Sequence, residues 1–248
     1  MHNGAIMSSD VRHLVDHARP YPLVRLSGVI DAAGADGVRD LLLDVLAEQP
    51  EAIVVDVAGV ELREPAAAVG VLRQVSRATG DWPGARLTLC DERGEDAWRG
   101  SGWVFRPDSA AAFAELGAPR SGNRIRLDLK PEVSAARRCR EAISQACVRW
   151  GRPALAEGAR IVVTEMVNNV VAHAGTAMIV LIATRGDILS IAVRDQSVTG
   201  PAYGGGQVSS TADGGRGMLL IDSVAERWGS LALADGKVVW ALLAQPRE

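Results

Sequence analysis

Residues 165–174, EMVNNVVAHA, are the stretch on which the reading of this chain turns. From Ala159 onward, apolar residues recur at Ile161, Val163, Met166, Val167, Val170 and Ala174. Steps of three and four predict a helix with one face in a core. Glu165 and Asn169 are one turn apart and so stand above one another on the same face. A carboxylate and an amide displayed together suit a magnesium–nucleotide site. The amide oxygen ligates a hard cation without adding charge, and the carboxylate can orient or deprotonate an attacking hydroxyl. Two polar residues on a helix face equally describe a solvated surface, and the residues C-terminal to the helix decide between the two.

Residues 188–194 (ILSIAVR) read as a strand ended by Asp195. A loop comes next, with glycines at 204–206 and hydroxyl residues at 209–211, and its flexibility suits a lid over phosphates. Gly214, Gly215, Arg216 and Gly217 then open a helix predicted over 218–228. Gly215 and Gly217 let backbone N–H groups approach an anion, the helix N-terminus favours negative charge, and Arg216 can add a charge-assisted contact.

The order of these pieces resembles the Bergerat ATP-binding family of gyrase, Hsp90 and the histidine kinases. It resembles more narrowly the bacterial anti-sigma-factor serine/threonine kinases. GRGMLLIDSVAERWG at 215–229 and GKVVWALL at 236–243 match that group's C-terminal pattern, and the likeness covers roughly 124–243. The resemblance implies ATP and Mg2+ as cofactors. It gives Glu165 as the base, Asn169 as the metal ligand, Asp195 as the acceptor for the adenine amine, and Gly215, Arg216 and Gly217 as the phosphate cradle. Ser197 stands in the same box, where the family's first glycine is usual. His173 is read as helix-end packing, because no phosphoacceptor hairpin precedes it, and Trp228 and Trp240 as core.

The first half alternates strands (11–17, 23–30, 52–57, 86–90 and an edge at 103–105) with helices (36–48, 65–79 and 109–116), which predicts a layered α/β domain. Residues 54–72, VVDVAGVELREPAAAVGVL, resemble the STAS domain of anti-sigma-factor antagonists. Aligned residue by residue, Glu64 takes the place of the aspartate, Pro65 of the phosphorylated serine, Ala66 of the next hydroxyl and Ala67 of the glycine. Proline has neither a hydroxyl nor a backbone N–H, so position 65 cannot accept phosphate. Gly, Pro, Ser and Asn cluster in GAPRSGN at 117–123. The expected layout is therefore 1–117 STAS-like, 118–123 linker, and 124–248 histidine-kinase-like. The second domain is expected as a Bergerat-type α/β sandwich, three helices on a mostly antiparallel mixed sheet. Its strand 124–129, helices 131–150 and 154–174, and hairpins 177–183/188–194 and 230–234/237–243 supply the parts.

Composition narrows the function classes. The chain has 248 residues, 48% hydrophobic, which suits two ordinary domains. A net charge of −3 offers no basic footprint for nucleic acid and argues against a DNA-topology or repair ATPase. Cys90, Cys139 and Cys147 form no CxxC pair and read as reduced core thiols of a cytoplasmic protein. No run approaches the roughly 18 apolar residues of a membrane span, the N-terminus lacks a signal pattern, and the four His show no zinc spacing. The resemblance then implies an ATP- and magnesium-dependent serine kinase. It would sequester a sigma factor and phosphorylate a separate STAS-domain antagonist, and a homodimer is the assembly the family suggests. The alternative is a non-catalytic ATP-binding switch that binds regulators without phosphotransfer.

Overall fold

The computed structural model describes residues 11–120, 122–198 and 215–245. The lid expected around 204–206 and 209–211, Gly214 and the Arg216 side chain lie outside the described residues. The chain forms two compact units that divide between Pro119 and Arg120, within the stretch 118–123.

The first unit contains β1 (Arg12–Asp16), β2 (Leu23–Ile30), α1 (Ala32–Ala47), β3 (Ala52–Leu62), α2 (Pro65–Ala78), β4 (Arg86–Cys90), β5 (Val104–Arg106) and α3 (Ser109–Leu116). Its sheet runs β1-β2-β3-β4-β5. The β1–β2 hairpin is antiparallel and the remaining pairs are parallel, as helical crossovers require. Ile53, Val54 and Val55 are fully buried, which is why β3 reads as an unbroken apolar run. α1 begins at Ala32 rather than at 36, because the Asp31 carboxylate accepts a hydrogen bond from the Gly34 amide (2.9 Å) and caps the helix.

β3 runs on to Leu62 rather than stopping at Val57. It keeps pairing with β2, while β4 ends opposite Asp56. The overhang is held by a side chain. Arg93 donates to the carbonyls of Val57 (3.0 Å) and Val60 (2.6 Å) and to both oxygens of Asp91. Asp91, whose side chain is fully buried, also accepts from Trp98 Nε1 at 2.7 Å. Burial pushes the Asp91 carboxyl up, but the hydrogen bonds from Arg93 and Trp98 outweigh it and hold the group below the usual carboxylate range. Pro65 occupies the first turn of α2 and is exposed.

The second unit contains β6 (Arg124–Leu129), α4 (Ser134–Arg149), α5 (Ala156–Asn169), β7 (Met178–Arg185), β8 (Ile188–Asp195), α6 (Gly215–Val224), β9 (Arg227–Leu233) and β10 (Gly236–Ala244). The strand order is β6-β7-β8-β10-β9. All pairings among the described strands are antiparallel, so the sheet is uniform where a mixed one was expected. The three helices cover one face. Ile143, Val163, Met166, Val167 and Ile221 share a core with Val180, Ile182, Ile191 and Val193. No helix among the described residues is long and apolar enough to cross a membrane.

Two boundaries differ from the sequence reading. The helix expected over 154–174 is α-helical only to Asn169. Val170–Ala174 continue it as a π-turn, closed by the Gly175 amide on the Val170 carbonyl (2.8 Å), with Gly175 left-handed at φ 63°. α6 starts at Gly215 and ends at Val224, earlier at both ends than 218–228. Residues from Arg227 onward are taken into the sheet as β9, and Trp228 Nε1 reaches back to Asp222 Oδ1 (2.9 Å).

Candidate functional site

The apolar stripe of α5 faces the core, with Val162, Val163, Met166 and Val167 buried, and this turns Glu165 and Asn169 to the half-exposed side. There they meet α6. A Cβ added at Gly217 would stand 2.7 Å from Glu165 Oε2, so the first turn of α6 lies directly against the carboxylate, and a larger residue there would push the Glu165 side chain aside. One turn along, Asn169 Nδ2 points at the Met218 sulfur, 3.7 Å away. Motifs nearly fifty residues apart in sequence thus share one contact. His173, by contrast, is exposed rather than packed into the helix end.

Asp195 is the last residue of β8. It is in phase with Ile191 and Val193, so it points to the helix-covered face, and it is only 2% exposed. Its Oδ1 accepts from the Ser197 amide (2.8 Å) and from Lys237 Nζ (3.1 Å). Lys237 is its cross-strand partner on β10 and also approaches the Ser197 carbonyl (3.5 Å). Among the described residues Oδ2 takes no hydrogen bond, and an acceptor oxygen at a strand end is what a nucleobase amine needs. Ser197 thus enters the group through its main chain.

The expected residues therefore fall into two groups. Glu165, Asn169 and Gly217 come together, and Asp195 comes together with Ser197. Among the described residues no hydrogen bond joins Asp195 to Glu165 or Asn169. The groups share a core instead. Met178, opposite Asp195, packs in the same cluster as Met218 and Val170, which flank Asn169. A cavity of about 370 Å³ at this end of the sheet is bounded by Met178, Arg194, Asp195, Gln196 and Asp235 among others, and Glu165 and Asn169 are not in its wall. Among the described residues no cluster of three or more His, Cys, Asp or Glu could hold a metal. Any magnesium here would take most of its oxygens from nucleotide and water.

Sequence reasoning missed Lys237. The GK pair that opens 236–243 reads as a hairpin and a family pattern, but nothing in one sequence says that β10 lies beside β8. The usable signal is the strand alternation, which puts Lys237 alone among Val239, Ala241 and Leu243 on an otherwise apolar face.

No protein-family model matches the chain, and no curated protein matches it. Among solved structures, the chain is similar to an anti-sigma factor antagonist from Mycobacterium paratuberculosis, at 20% identity and a TM-score of 0.36, over 43% of this chain and 98% of that one.

Proposed function

We propose that this chain is an ATP- and magnesium-dependent protein serine kinase of a bacterial partner-switching pathway. In this reading it is an anti-sigma factor that holds a sigma factor inactive and phosphorylates a separate STAS-type antagonist. The observation that carries the reading is the meeting of Glu165 and Asn169 with Gly217 and Met218. A carboxylate, an amide and a glycine-opened helix start are the three parts a magnesium–nucleotide site needs side by side.

The residues fit the cofactor. Asn169 turns its Nδ2 to Met218, which leaves its amide oxygen for a hard cation. Gly217 stands against the Glu165 side chain at the first turn of α6, whose N–H groups would hold phosphate oxygens. Bound Mg-ATP supplies the transferable phosphoryl group and the metal's charge. Glu165 would accept the hydroxyl proton of the incoming serine, and the phosphoryl group so transferred would leave ADP behind. Asp195 accepts from the adenine amine. The assignment of Arg216 to the phosphates rests on sequence alone. Positioning and charge neutralisation do most of the work.

The first unit is assigned the STAS fold on its strand–helix order and on residues 54–72. With Pro65 where the acceptor serine would be, that position cannot take the phosphate, and this reading assigns the acceptor to a separate antagonist. Pro65, together with Ser197 in place of a glycine, also favours a second reading, in which the protein binds ATP and its partners without transferring phosphate.

Titration calorimetry with Mg-ATP on the wild type and Asn169→Ala tests the nucleotide assignment. Asn169→Ala should weaken binding at least about tenfold, or 1.4 kcal/mol. Equal, weak heats for both would remove the metal–nucleotide assignment. Label from γ-labelled ATP appearing on an intact antagonist marks the kinase, and binding without label marks the switch.

A further inference from the structure

The second hairpin of the kinase-like unit carries more than a turn. β10 begins Gly236-Lys237, and both residues press on the end of β8. A Cβ at Gly236 would lie 2.0 Å from the Asp195 carbonyl oxygen and 2.9 Å from the Gln196 Cα, so β10 passes this close only because residue 236 has no side chain. That passage sets the Lys237 ammonium on Asp195 Oδ1. The pair is largely buried, with the two side chains 17% and 3% exposed. On the opposite face Arg194 grips Asp235 through both carboxylate oxygens (2.9 and 3.1 Å), so the strand end is clamped from two sides.

We propose that Gly236 and Lys237 are positioning residues for the base-reading carboxylate, and that they set a preference for a purine with an amine at position 6 over one with an oxygen there. The inference rests on the assignment of Asp195 to the nucleobase. Its physical basis is the rotation of one carboxylate. Two donors, the Ser197 amide and Lys237 Nζ, both fall on Oδ1. This fixes the group's torsion and turns Oδ2 away from them, as an acceptor that no described residue fills. Such an acceptor rewards an amine and meets a carbonyl oxygen lone pair to lone pair. Without Lys237 the carboxylate rotates more freely and can offer its oxygens to the ring N–H of an oxopurine, so discrimination falls.

The test uses the full chain and competitive displacement of a fluorescent nucleotide by Mg-ATP and Mg-ITP, which differ only in a 6-amine beside a bare ring N1 against a 6-oxygen beside a ring N1–H. Wild type should hold ATP about tenfold or more tighter than ITP. Lys237→Met should weaken ATP by about the same factor and change ITP less than about twofold, and Lys237→Arg should restore most of the ratio. Asp195→Asn gives a second reading that does not depend on the Lys237→Met protein folding. Lys237 and the Ser197 amide should hold the amide oxygen at the Oδ1 position and turn the NH2 toward the base, so the preference should invert to ITP. The inference is overturned if Lys237→Met weakens both nucleotides equally or leaves the ratio intact, or if Asp195→Asn shows no inversion. If wild type binds both equally, the reading of the base falls while the metal and phosphate assignments stand. If it binds neither, the kinase reading and this inference fall together.

Discussion

Gly236→Ala is the substitution whose cost the structure fixes most directly. The new methyl would stand 2.0 Å from the Asp195 carbonyl oxygen, 2.9 Å from the Gln196 Cα and 3.0 Å from the Asp195 carbonyl carbon. All three are main-chain atoms, two in the last residue of β8 and one in the residue after it, so none can rotate aside as a side chain would. β10 must retreat by about 1.4 Å to bring the 2.0 Å approach to an ordinary contact near 3.4 Å, and such overpacking costs about 1–3 kcal/mol. The retreat also stretches the Lys237–Asp195 bond from 3.1 Å toward the limit of a hydrogen bond. Loosening a buried charged partner adds about 1–2 kcal/mol. A total near 3 kcal/mol lowers the melting temperature of a domain this size by roughly 10 °C. The assay is thermal unfolding followed by circular dichroism and tryptophan fluorescence, with Gly186→Ala as the control. Gly186 is left-handed at φ 57°, but a methyl there meets nothing within 4 Å. It should therefore lose only about 1 kcal/mol, from backbone strain. If Gly236→Ala melts with the control, or with wild type, the close passage of β10 over Asp195 is wrong.

Two further outcomes concern the titratable groups. The folded Asp91 carboxyl is held below its unfolded value of about 3.9, so its contribution to stability is complete above roughly pH 4 and is lost as pH falls through the lower, folded value; Asp91→Asn should flatten that acid limb in tryptophan fluorescence between about pH 2 and 5, and an unchanged limb would move its origin elsewhere. Burial, aided by Asp56 and Asp108 and opposed by Arg106, pushes the Cys90 thiol up to about 12; burial opposed by Arg138 and Arg140 raises Cys139 to about 11, and burial alone raises Cys147. A disulfide reagent near pH 8 should thus leave all three unreacted in the native protein and label all three in denaturant, and rapid native labelling of any one would contradict the packing.

Much of the fold could be read from the sequence because its elements obey simple periods. β2, β4, β6 and α3 lie where their patterns put them. The misses have local causes. Gly34 hid the start of α1, since a glycine in a first turn reads as loop until Asp31 is seen to cap its amide. The far half of β3, Ala58–Gly59–Val60–Glu61–Leu62, lacks an apolar run because only one neighbouring strand accompanies it. The π-turn at 170–174 leaves no mark on a spacing of three and four. Glu165, Asn169 and Gly217 could be singled out as candidates because each stands in a short motif, and the structure brings the three together. Lys237 could not be, because its role depends on which strands become neighbours, and hydrophobic alternation along one strand carries no information about the next.

The side-chain clamp at the end of β3 has a consequence for association. Beyond Asp56 that strand has lost β4, and its outward carbonyls would form a bare hydrogen-bonding edge inside an otherwise finished sheet. Such an edge is a template on which a second chain can add a strand. By occupying the Val57 and Val60 oxygens, the Arg93 guanidinium does for this corner what a sixth strand would do, and brings a positive charge that an intruding backbone must displace. Resistance to aggregation at this corner is thereby entrusted to one arginine.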